Sequence, residues 1–317
     1  MVSQPLVSVL MPLYNKAEFV AESIESVLNQ TYSNIELIIV DDGSTDDSHS
    51  IALKYADNKR IFVFQQENKG SSSARNWAFE LCKGDYIQYL DADDLLHLDK
   101  IAEQMNRIAL DETILMTSRW QHFKSNVFEK HLNENPKLKY DFDDMTSFLL
   151  EITKHGFPIH AWLIPRKLIE KAGKWDEKIF IFEDRDFFMR LVLSAQSVKY
   201  CDTAFCYYRL SQKGKNLSTR RDRQVLEGVF RYLDNFEALC LNFETSNKYA
   251  RQVLACLHKK LLILSINDKP IVLEVKKRSI RLGLAPDCGE SKMIKFCEKT
   301  IGIRLTFLLI YLKIKYL

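Results

Sequence analysis

The first ninety residues alternate short apolar runs with stretches in which apolar residues recur at helical spacing. The runs predict strands at residues 7–11, 35–40, 61–64 and 86–90. The stretches between them predict helices at about residues 19–28, 46–56 and 73–82. Repeated βα units form a largely parallel sheet that is covered by helices on both faces. The predicted fold class is therefore α/β.

The rest of the chain divides into a mixed part and a helical part. Apolar runs at 114–116 and 159–164 and predicted helices at 145–152 and 184–194 continue the first domain. From about residue 218 onward, apolar residues recur mainly at helical spacing. We expect one α/β domain over residues 1–215 and a mainly helical C-terminal region over residues 216–317.

Composition disfavours several classes of protein. Lys and Arg number 45 and Asp and Glu number 42, and the small net charge of +3 disfavours a nucleic-acid-binding protein. The seven cysteines are scattered and form no C-x-x-C pair, which disfavours a disulfide framework or a zinc finger. Neither a signal peptide nor an apolar run of about 20 residues is recognisable. We therefore expect a cytoplasmic protein.

Polar residues follow the first two predicted strands, where open α/β sheets bind ligands. The first strand leads into Pro12-Leu-Tyr14-Asn15, which would serve as a proline turn with an Asn cap or would present Tyr14 to a planar ring. The second leads into Asp41-Asp42-Gly-Ser. In a purely structural interpretation, Ser44 or Asp46 would cap the following helix. Two adjacent carboxylates repel each other, and hydrogen bonds from a nucleoside would offset that cost.

A third acidic motif, Asp91-Ala92-Asp93-Asp94, directly follows the fourth predicted strand. Such a triplet also occurs in solvated loops and helix starts. Three carboxylates within four residues repel one another unless donors or a cation neutralise them. Oxygen ligands suit Mg²⁺ or Mn²⁺. The motif therefore predicts a divalent metal site.

In this order, the motifs resemble those of the family 2 glycosyltransferases, inverting enzymes of GT-A fold that use nucleotide-diphospho-sugars. The resemblance covers roughly residues 7–208 and includes Asn68-Lys-Gly, Ala-Arg75-Asn and Glu183-Asp184. It implies a Rossmann-like central sheet and a transfer from a nucleotide donor to a hydroxyl of a glycan or lipid-linked saccharide. A uridine diphosphate donor and a place in cell-surface polysaccharide biosynthesis are expectations from the family.

The resemblance also implies a role for each motif residue. The donor-binding set comprises Pro12, Tyr14, Asn15, Asp41, Asp42, Asn68, Arg75, Asp91, Ala92 and Asp93. Within this set, Asp93 and Asp91 would hold Mn²⁺ or Mg²⁺ against the diphosphate. Trp162 and Glu183 would lie on the acceptor side, and Asp184 would be the catalytic base. From residue type alone, an arginine such as Arg75 more often lies on a solvated helix face. In the same way, Glu183 and Asp184 more often add negative charge to a helix N-terminus.

The chain departs from the family where many members carry a metal- or diphosphate-binding histidine. After Tyr208-Arg209 the sequence reads Leu-Ser-Gln-Lys213, so Lys213, Lys215 or Arg220 would contact phosphate instead or lie in a solvated loop. Close histidine pairs are absent from the sequence, and we expect His160 to be structural or on the acceptor side.

Two other functions fit parts of the pattern. A nucleotidyltransferase that forms nucleotide-sugars also uses a sheet with carboxylate-bound metal, but it usually has a glycine-rich basic loop where Pro12-Leu-Tyr-Asn15 stands. A non-catalytic sugar- or nucleotide-binding module would not need a base at Asp184. A dinucleotide-binding dehydrogenase is disfavoured because the G-x-G-x-x-G motif is absent.

The C-terminal hundred residues are rich in cations and end in an apolar stretch. Ten Lys and Arg residues after residue 275 outnumber the nearby acids, and residues 301–317 form an amphipathic pattern. This pattern suits either a helix that packs on the first domain or one that lies on a membrane surface. Because each basic residue near anionic lipid gains roughly 1 kcal/mol, we expect peripheral attachment to the inner face of the cell membrane.

Overall fold

A five-stranded sheet forms the centre of the protein, whose computed structural model describes residues 4–124, 141, 157–210, 223–241, 258 and 269–282. The strands along the chain are β1 (Val7–Leu13), β2 (Ile35–Asp41), β3 (Ile61–Gln65), β4 (Tyr86–Tyr89), β5 (Leu95–Leu96), β6 (Ile114–Phe123), β7 (Ile164–Pro165) and β8 (Ser197–Arg209). The main sheet has the order β3-β2-β1-β4-β7. Its first four strands run parallel, and β7 is antiparallel to β4.

Helices connect and cover these strands. They are α1 (Val20–Leu28), α2 (Ser48–Leu53), α3 (Ser71–Leu81), α4 (Lys100–Ile108), α5 (Arg166–Ala172), α6 (Glu183–Ser194), α7 (Arg223–Leu241) and α8 (Lys269–Arg281). All seven residues of both β1 and β2 are buried, as expected for central strands with helices on both faces. The prediction of an α/β fold is confirmed.

The parallel register brings three loops to one edge of the sheet. Leu13 at the end of β1 pairs with Asp41 at the end of β2, and Leu10 pairs with Tyr89 of β4. The backbone N–H of Asp42 then donates to the carbonyl of Leu13 at 2.7 Å. The residues that follow these strands therefore gather at the carboxyl edge, where ligands bind in open α/β sheets.

A second sheet, in the order β5-β8-β6, supports the acidic loop between β4 and β5. Strand β5 is antiparallel to β8, and the longer strand β6 is parallel to β8 with an irregularity between Ser118 and Arg119. The residues of β5 directly follow Asp91–Asp94, so pairing with β8 anchors the far end of that loop.

The sequence predicted the early elements to within a few residues but missed or misjudged others. Helix α4 was not predicted, although Ile101, Met105 and Ile108 lie at helical spacing and form its buried side. The apolar run 159–164 is a 3₁₀ turn, Ile159–Ala161, followed by the two-residue strand β7. A short buried apolar run does not by itself distinguish a strand from a turn. The helix predicted at 145–152 lies outside the described residues.

Helices α7 and α8 share a hydrophobic core with the sheet. Tyr232, Leu233 and Phe236 of α7 and Ile271 and Val275 of α8 are buried in the same cluster as β1 and β2. The described helices of the C-terminal region therefore pack on the α/β domain. The boundary predicted at residue 215 lies outside the described residues.

Lys100, at the start of α4, is a fully buried cation. Its ammonium group contacts the side-chain oxygen of Gln88 and donates to the carbonyl of Trp162 at 3.4 Å. Both partners are neutral, and burial lowers the pKa of Lys100 to about 7. Folding therefore favours the deprotonated amine near neutral pH.

We expect Lys100 to make the folded state more stable as the pH rises from about 7 toward 10. In that window the unfolded chain binds the proton that the folded chain has lost, so the free energy of unfolding rises by up to roughly 1.4 kcal/mol per pH unit. Lys100→Met should abolish this contribution, as measured by urea unfolding at pH 7, 8 and 9. The exposed Lys54 provides the control Lys54→Met, which should keep the wild-type slope. Identical slopes for wild type and Lys100→Met would contradict the assignment.

Candidate active site

Each carboxylate of the acidic loop faces a cation of the protein. Asp91 accepts a hydrogen bond from Arg75 at 2.9 Å, and Asp93 is in contact with the ammonium group of Lys16. Asp94 lies 3.1 Å from Nδ1 of the buried His160. These contacts offset the repulsion among the three carboxylates without a metal ion.

Asp94 and Arg209 anchor the acidic loop from inside the protein. The Asp94 carboxylate accepts the backbone N–H of Arg209 at 2.7 Å, and Nε of Arg209 donates to the carbonyl of Asp93 at 2.7 Å. Burial opposes the charged form of His160, but the Asp94 carboxylate raises the pKa of His160 well above its ordinary value. Sequence reasoning missed the anchoring roles of Asp94 and Arg209. The signal available for Arg209 was its place directly before the segment in which many family members carry a histidine.

Asp41 and Asp42 are buried and hold two neighbouring loops. Asp41 accepts hydrogen bonds from Ser44 and from Gln65 Nε2, the latter at 2.9 Å. Asp42 accepts the backbone N–H groups of Lys69 and Gly70, each at 2.8 Å. The adjacent carboxylates, which the sequence assigned to a nucleoside, are thus bonded to protein donors.

Gly43 permits the close approach of these two loops. Its φ of 72° lies in the left-handed region, and a Cβ atom there would be 3.0 Å from the backbone nitrogen of Asn68. Asn15, with φ of 50°, also braces the turn, because its side-chain oxygen accepts the N–H of Thr45 at 2.8 Å. The predicted donor residues Asn15 and Asn68 therefore lie together at the carboxyl edge.

The exposure of the predicted donor residues is uneven. Tyr14 is 45 % exposed and Asn68 is also exposed, so both side chains are open to a ligand. Pro12 lies buried within β1, and Ala92 is buried in the acidic loop. Of these two predicted donor residues on β1 and its following turn, Tyr14 is the one that presents its ring to solvent.

Arg75 connects the acidic loop to helix α6. One guanidinium nitrogen donates to Asp91 at 2.9 Å, and another lies 3.7 Å from Oε1 of Glu183. The guanidinium group is buried and lies 4.5 Å from the ring centroid of Trp175. Burial favours the neutral form, but the charges of Asp91 and Glu183 outweigh it and raise the pKa of Arg75.

Helix α6 begins with Glu183, predicted on the acceptor side, and Asp184, predicted as the catalytic base. Burial, reinforced by the charge of Asp184 and opposed by Arg75, raises the pKa of Glu183 to about 7. Asp184 is half-buried, and its Oδ1 accepts the N–H of Arg185 at 2.8 Å. The two neighbouring carboxyl groups thus lie in different environments, which is the arrangement that lets one hold a proton while the other accepts one.

Trp162, which was predicted on the acceptor side, lies in the core. Its side chain is fully buried and stacks on Phe188 of α6 with 5.0 Å between ring centroids. Trp162 therefore supports α6 from inside.

Helix α7 contacts the segment that leads into α6, a contact that sequence reasoning missed. Asp176 is in contact with Arg231, and Asn235 donates to Asp186 at 3.0 Å. Tyr232 packs on Phe182, whose φ of 71° is strained for a non-glycine residue. The first described helix of the C-terminal region therefore holds the backbone that precedes Glu183 and Asp184.

The described ranges contain no cluster of three or more His, Cys, Asp or Glu side chains arranged to hold a metal ion. Asp91 and Asp93 nevertheless offer partly exposed oxygen donors, which suit Mg²⁺ or Mn²⁺. The substitutes considered for the missing histidine, Lys213, Lys215 and Arg220, lie outside the described residues.

Comparison with known proteins decides the family. The sequence profile described as "Glycosyl transferase family 2" matches residues 8–173, more than half of the chain. The chain belongs to the family 2 glycosyltransferases. The family predicted from the motifs is thereby confirmed, and the protein is a glycosyltransferase. The matched region ends ten residues before Glu183.

Several relatives extend the match along the chain. An uncharacterised glycosyltransferase of Rickettsia typhi is 32 % identical over 243 residues, which cover 75 % of this chain and 71 % of that protein. The glycosyltransferase EpsJ of Bacillus subtilis is 34 % identical over 212 residues, 65 % of this chain and 61 % of EpsJ. The R. prowazekii relative is 35 % identical over 190 residues, and the match spans 59 % of this chain and 58 % of that protein.

Solved structures share the fold. The crystal structure of S. aureus TarS has a TM-score of 0.68 and 18 % identity, and the match covers 87 % of this chain and 49 % of TarS. The crystal structure of TarS residues 1–349 with UDP-GlcNAc has a TM-score of 0.64, covering 87 % of this chain and 78 % of that one. These likenesses confirm the GT-A fold.

Gly228 of α7 provides a test of the contact with the segment before α6. A Cβ atom at this position would lie 3.0 Å from the carbonyl oxygen of Lys178 and 3.1 Å from the nitrogen of Phe180. Ala is favoured over Gly in an isolated helix by about 1 kcal/mol, but here we expect Gly228→Ala to lower the free energy of unfolding. Chemical unfolding measures this, with Ala238→Gly at an exposed site of the same helix as the reciprocal control. A stabilised Gly228→Ala variant would show that the contact is loose.

Proposed function

We propose that this glycosyltransferase moves a hexose from a uridine diphosphate sugar to a hydroxyl of a glycan or lipid-linked saccharide, with inversion at the anomeric carbon. The observation that carries the proposal is the position of Arg75 between Asp91, which is expected on the donor side, and Glu183, which is expected on the acceptor side. Arg75 joins these two carboxylates in one ion-pair network, which supports a shared site. The TarS structures with UDP and UDP-GlcNAc support the choice of a uridine nucleotide.

The donor would bind across the carboxyl edge of the main sheet. The exposed ring of Tyr14 is available to stack on the base, and Asn68 lies on the opposing loop. Asp41 and Asp42 shape this side of the site by holding the loops, and Asp42 retains acceptor capacity for a base or ribose hydrogen bond.

Asp93 and Asp91 would hold Mn²⁺ or Mg²⁺, to which their oxygen atoms are suited. When bound, the ion supplies positive charge against the departing diphosphate. Arg75 orients Asp91 through its 2.9 Å hydrogen bond and contributes a second, fixed positive charge beneath the site. The protein thus contributes both the carboxylates and a preorganised counter-charge.

Asp184 would act as the base. Its carboxylate would take the proton of the acceptor hydroxyl as the hydroxyl oxygen attacks the anomeric carbon, on the face opposite the leaving diphosphate. Glu183, whose pKa is raised to about 7, would orient the acceptor as a hydrogen-bonding partner. This division of roles is supported by the position of Glu183, whose Oε1 lies 3.7 Å from the buried guanidinium group of Arg75.

We expect Asp184→Asn to lower turnover by on the order of a hundredfold or more, because the amide keeps the shape but cannot accept the proton. Donor affinity should change little, as measured by the thermal shift that UDP produces. Glu183→Gln is the matched control and should have a milder effect. Equal losses of UDP binding and turnover in Asp184→Asn would place Asp184 in the donor site, and intact turnover would favour a non-catalytic module.

We also propose peripheral contact of the C-terminal region with the inner membrane face, where a lipid-linked acceptor would lie. No described helix is long and apolar enough to cross a membrane. Two of the ten basic residues after residue 275 form ion pairs within the protein. Arg278 pairs with Asp234, and Arg281 pairs with Glu237. The predicted amphipathic stretch 301–317 lies outside the described residues.

We expect the full chain to cosediment with anionic vesicles at low salt and to dissociate at high salt, because basic residues bind anionic headgroups electrostatically. Neutral vesicles provide the control and should retain little protein. The described residues Lys276 and Lys277 offer the charge-reversed variant Lys276→Glu/Lys277→Glu, which should bind anionic vesicles less. Equal partitioning onto both kinds of vesicle would contradict an electrostatic attachment.

A further inference from the structure

Lys16 places an ammonium group on the carboxylate that is expected to hold the metal. The residue follows the turn at Asn15, and its backbone N–H donates to Oγ of Ser48 at 2.7 Å. Its Nζ contacts Oδ2 of Asp93. The backbone of Lys16 is thus held, while its side chain crosses the site to the acidic loop.

This contact differs from the other two ion pairs of the loop. The cationic partners of Asp91 and Asp94 are the buried side chains of Arg75 and His160, which are 6 % and 0 % exposed. The Lys16 side chain is 35 % exposed, and its Asp93 partner is 19 % exposed. Among these three cations, Lys16 is therefore the one that can move away without uncovering a buried charge.

We propose that Lys16 is the resident counter-ion of Asp93, opposing metal binding there until a donor diphosphate draws the ammonium group away. The proposal rests on the proposed function. A divalent ion and an ammonium group repel each other when both contact one carboxylate, so Lys16 must leave as the ion arrives. The oxygen atoms of a diphosphate provide the displaced ammonium group with a new anionic partner.

Metal and donor are then coupled through one side chain. Metal and donor diphosphate both favour the state in which Lys16 has left Asp93. Binding of the metal must therefore raise the affinity for the donor, and binding of the donor must raise the affinity for the metal by the same factor. Asp91 and Asp93 alone form a sparse ligand set, and occupation of Asp93 by Lys16 weakens that set further in the absence of nucleotide. Lys16 is thus a positioning residue whose effects on metal and on nucleotide have opposite signs.

The test measures binding of Mn²⁺ alone and of UDP alone to the full chain by calorimetry. Lys16→Met keeps an unbranched side chain as far as the ε carbon and removes the charge. We expect this variant to bind Mn²⁺ without nucleotide at least tenfold more tightly than the wild type and to bind UDP without metal more weakly. The factor by which saturating UDP increases Mn²⁺ affinity should fall by at least tenfold.

Two matched variants separate this role from general effects. Lys54→Met removes an exposed lysine that directly follows α2 and should leave both affinities unchanged. Lys16→Arg keeps the positive charge and should retain weak Mn²⁺ binding without nucleotide. A second neutral variant, Lys16→Gln, should reproduce Lys16→Met, and thermal unfolding verifies that each variant is folded.

Unchanged or weaker binding of Mn²⁺ by folded Lys16→Met and Lys16→Gln would overturn the proposal. Tight binding of Mn²⁺ to the wild type without nucleotide would also overturn it. Failure of the proposed function has a different signature, because the wild type would then bind neither UDP nor a uridine diphosphate sugar at any Mn²⁺ concentration. The effect of Lys16→Met on Mn²⁺ alone is measured without donor and is independent of that outcome.

Discussion

Placing several carboxylates at the carboxyl edge of one buried sheet is the constraint on which the rest of the site depends. Carboxylates in such a place are stable only when donors or cations surround them. The protein uses backbone N–H groups for Asp42 and cations for Asp91, Asp93 and Asp94. The hydrogen bonds and ion pairs that stabilise these carboxylates also hold the loops in place. The same contacts therefore determine the shape of the site.

Arg75 shows how this requirement joins parts of the chain that are far apart in sequence. Its guanidinium group lies against Trp175 and faces both Asp91 and Glu183. Ion pairs and hydrogen bonds offset the desolvation of a buried arginine, and here the anionic partners come from the acidic loop and from α6. Helix α7 adds a second connection through Asn235 and Asp186. The geometry of α6 consequently depends on both the core and the described C-terminal helices.

The GT-A sheet and most of the candidate residues followed from local patterns. Alternating apolar runs and helical stretches predicted β1 to β4, since strand and helix periods differ and the turns between them are short. The motif order indicated the family, which the sequence profile confirmed over residues 8–173. The full burial of Trp162 did not follow from the sequence, because residue type alone does not reveal which side of an apolar segment faces the core.

By itself, the sequence determined the strands and helices of the first ninety residues, their parallel arrangement and the acidic motifs at the strand ends, because these depend on neighbours a few residues apart. Only the tertiary structure decided which charges meet. Lys16 and Asp93 are separated by 77 positions, and Asp94 and the backbone of Arg209 by 115. Long-range pairs of this kind leave no periodic signal, since their proximity arises from sheet register and from the packing of loops that the chain connects only distantly.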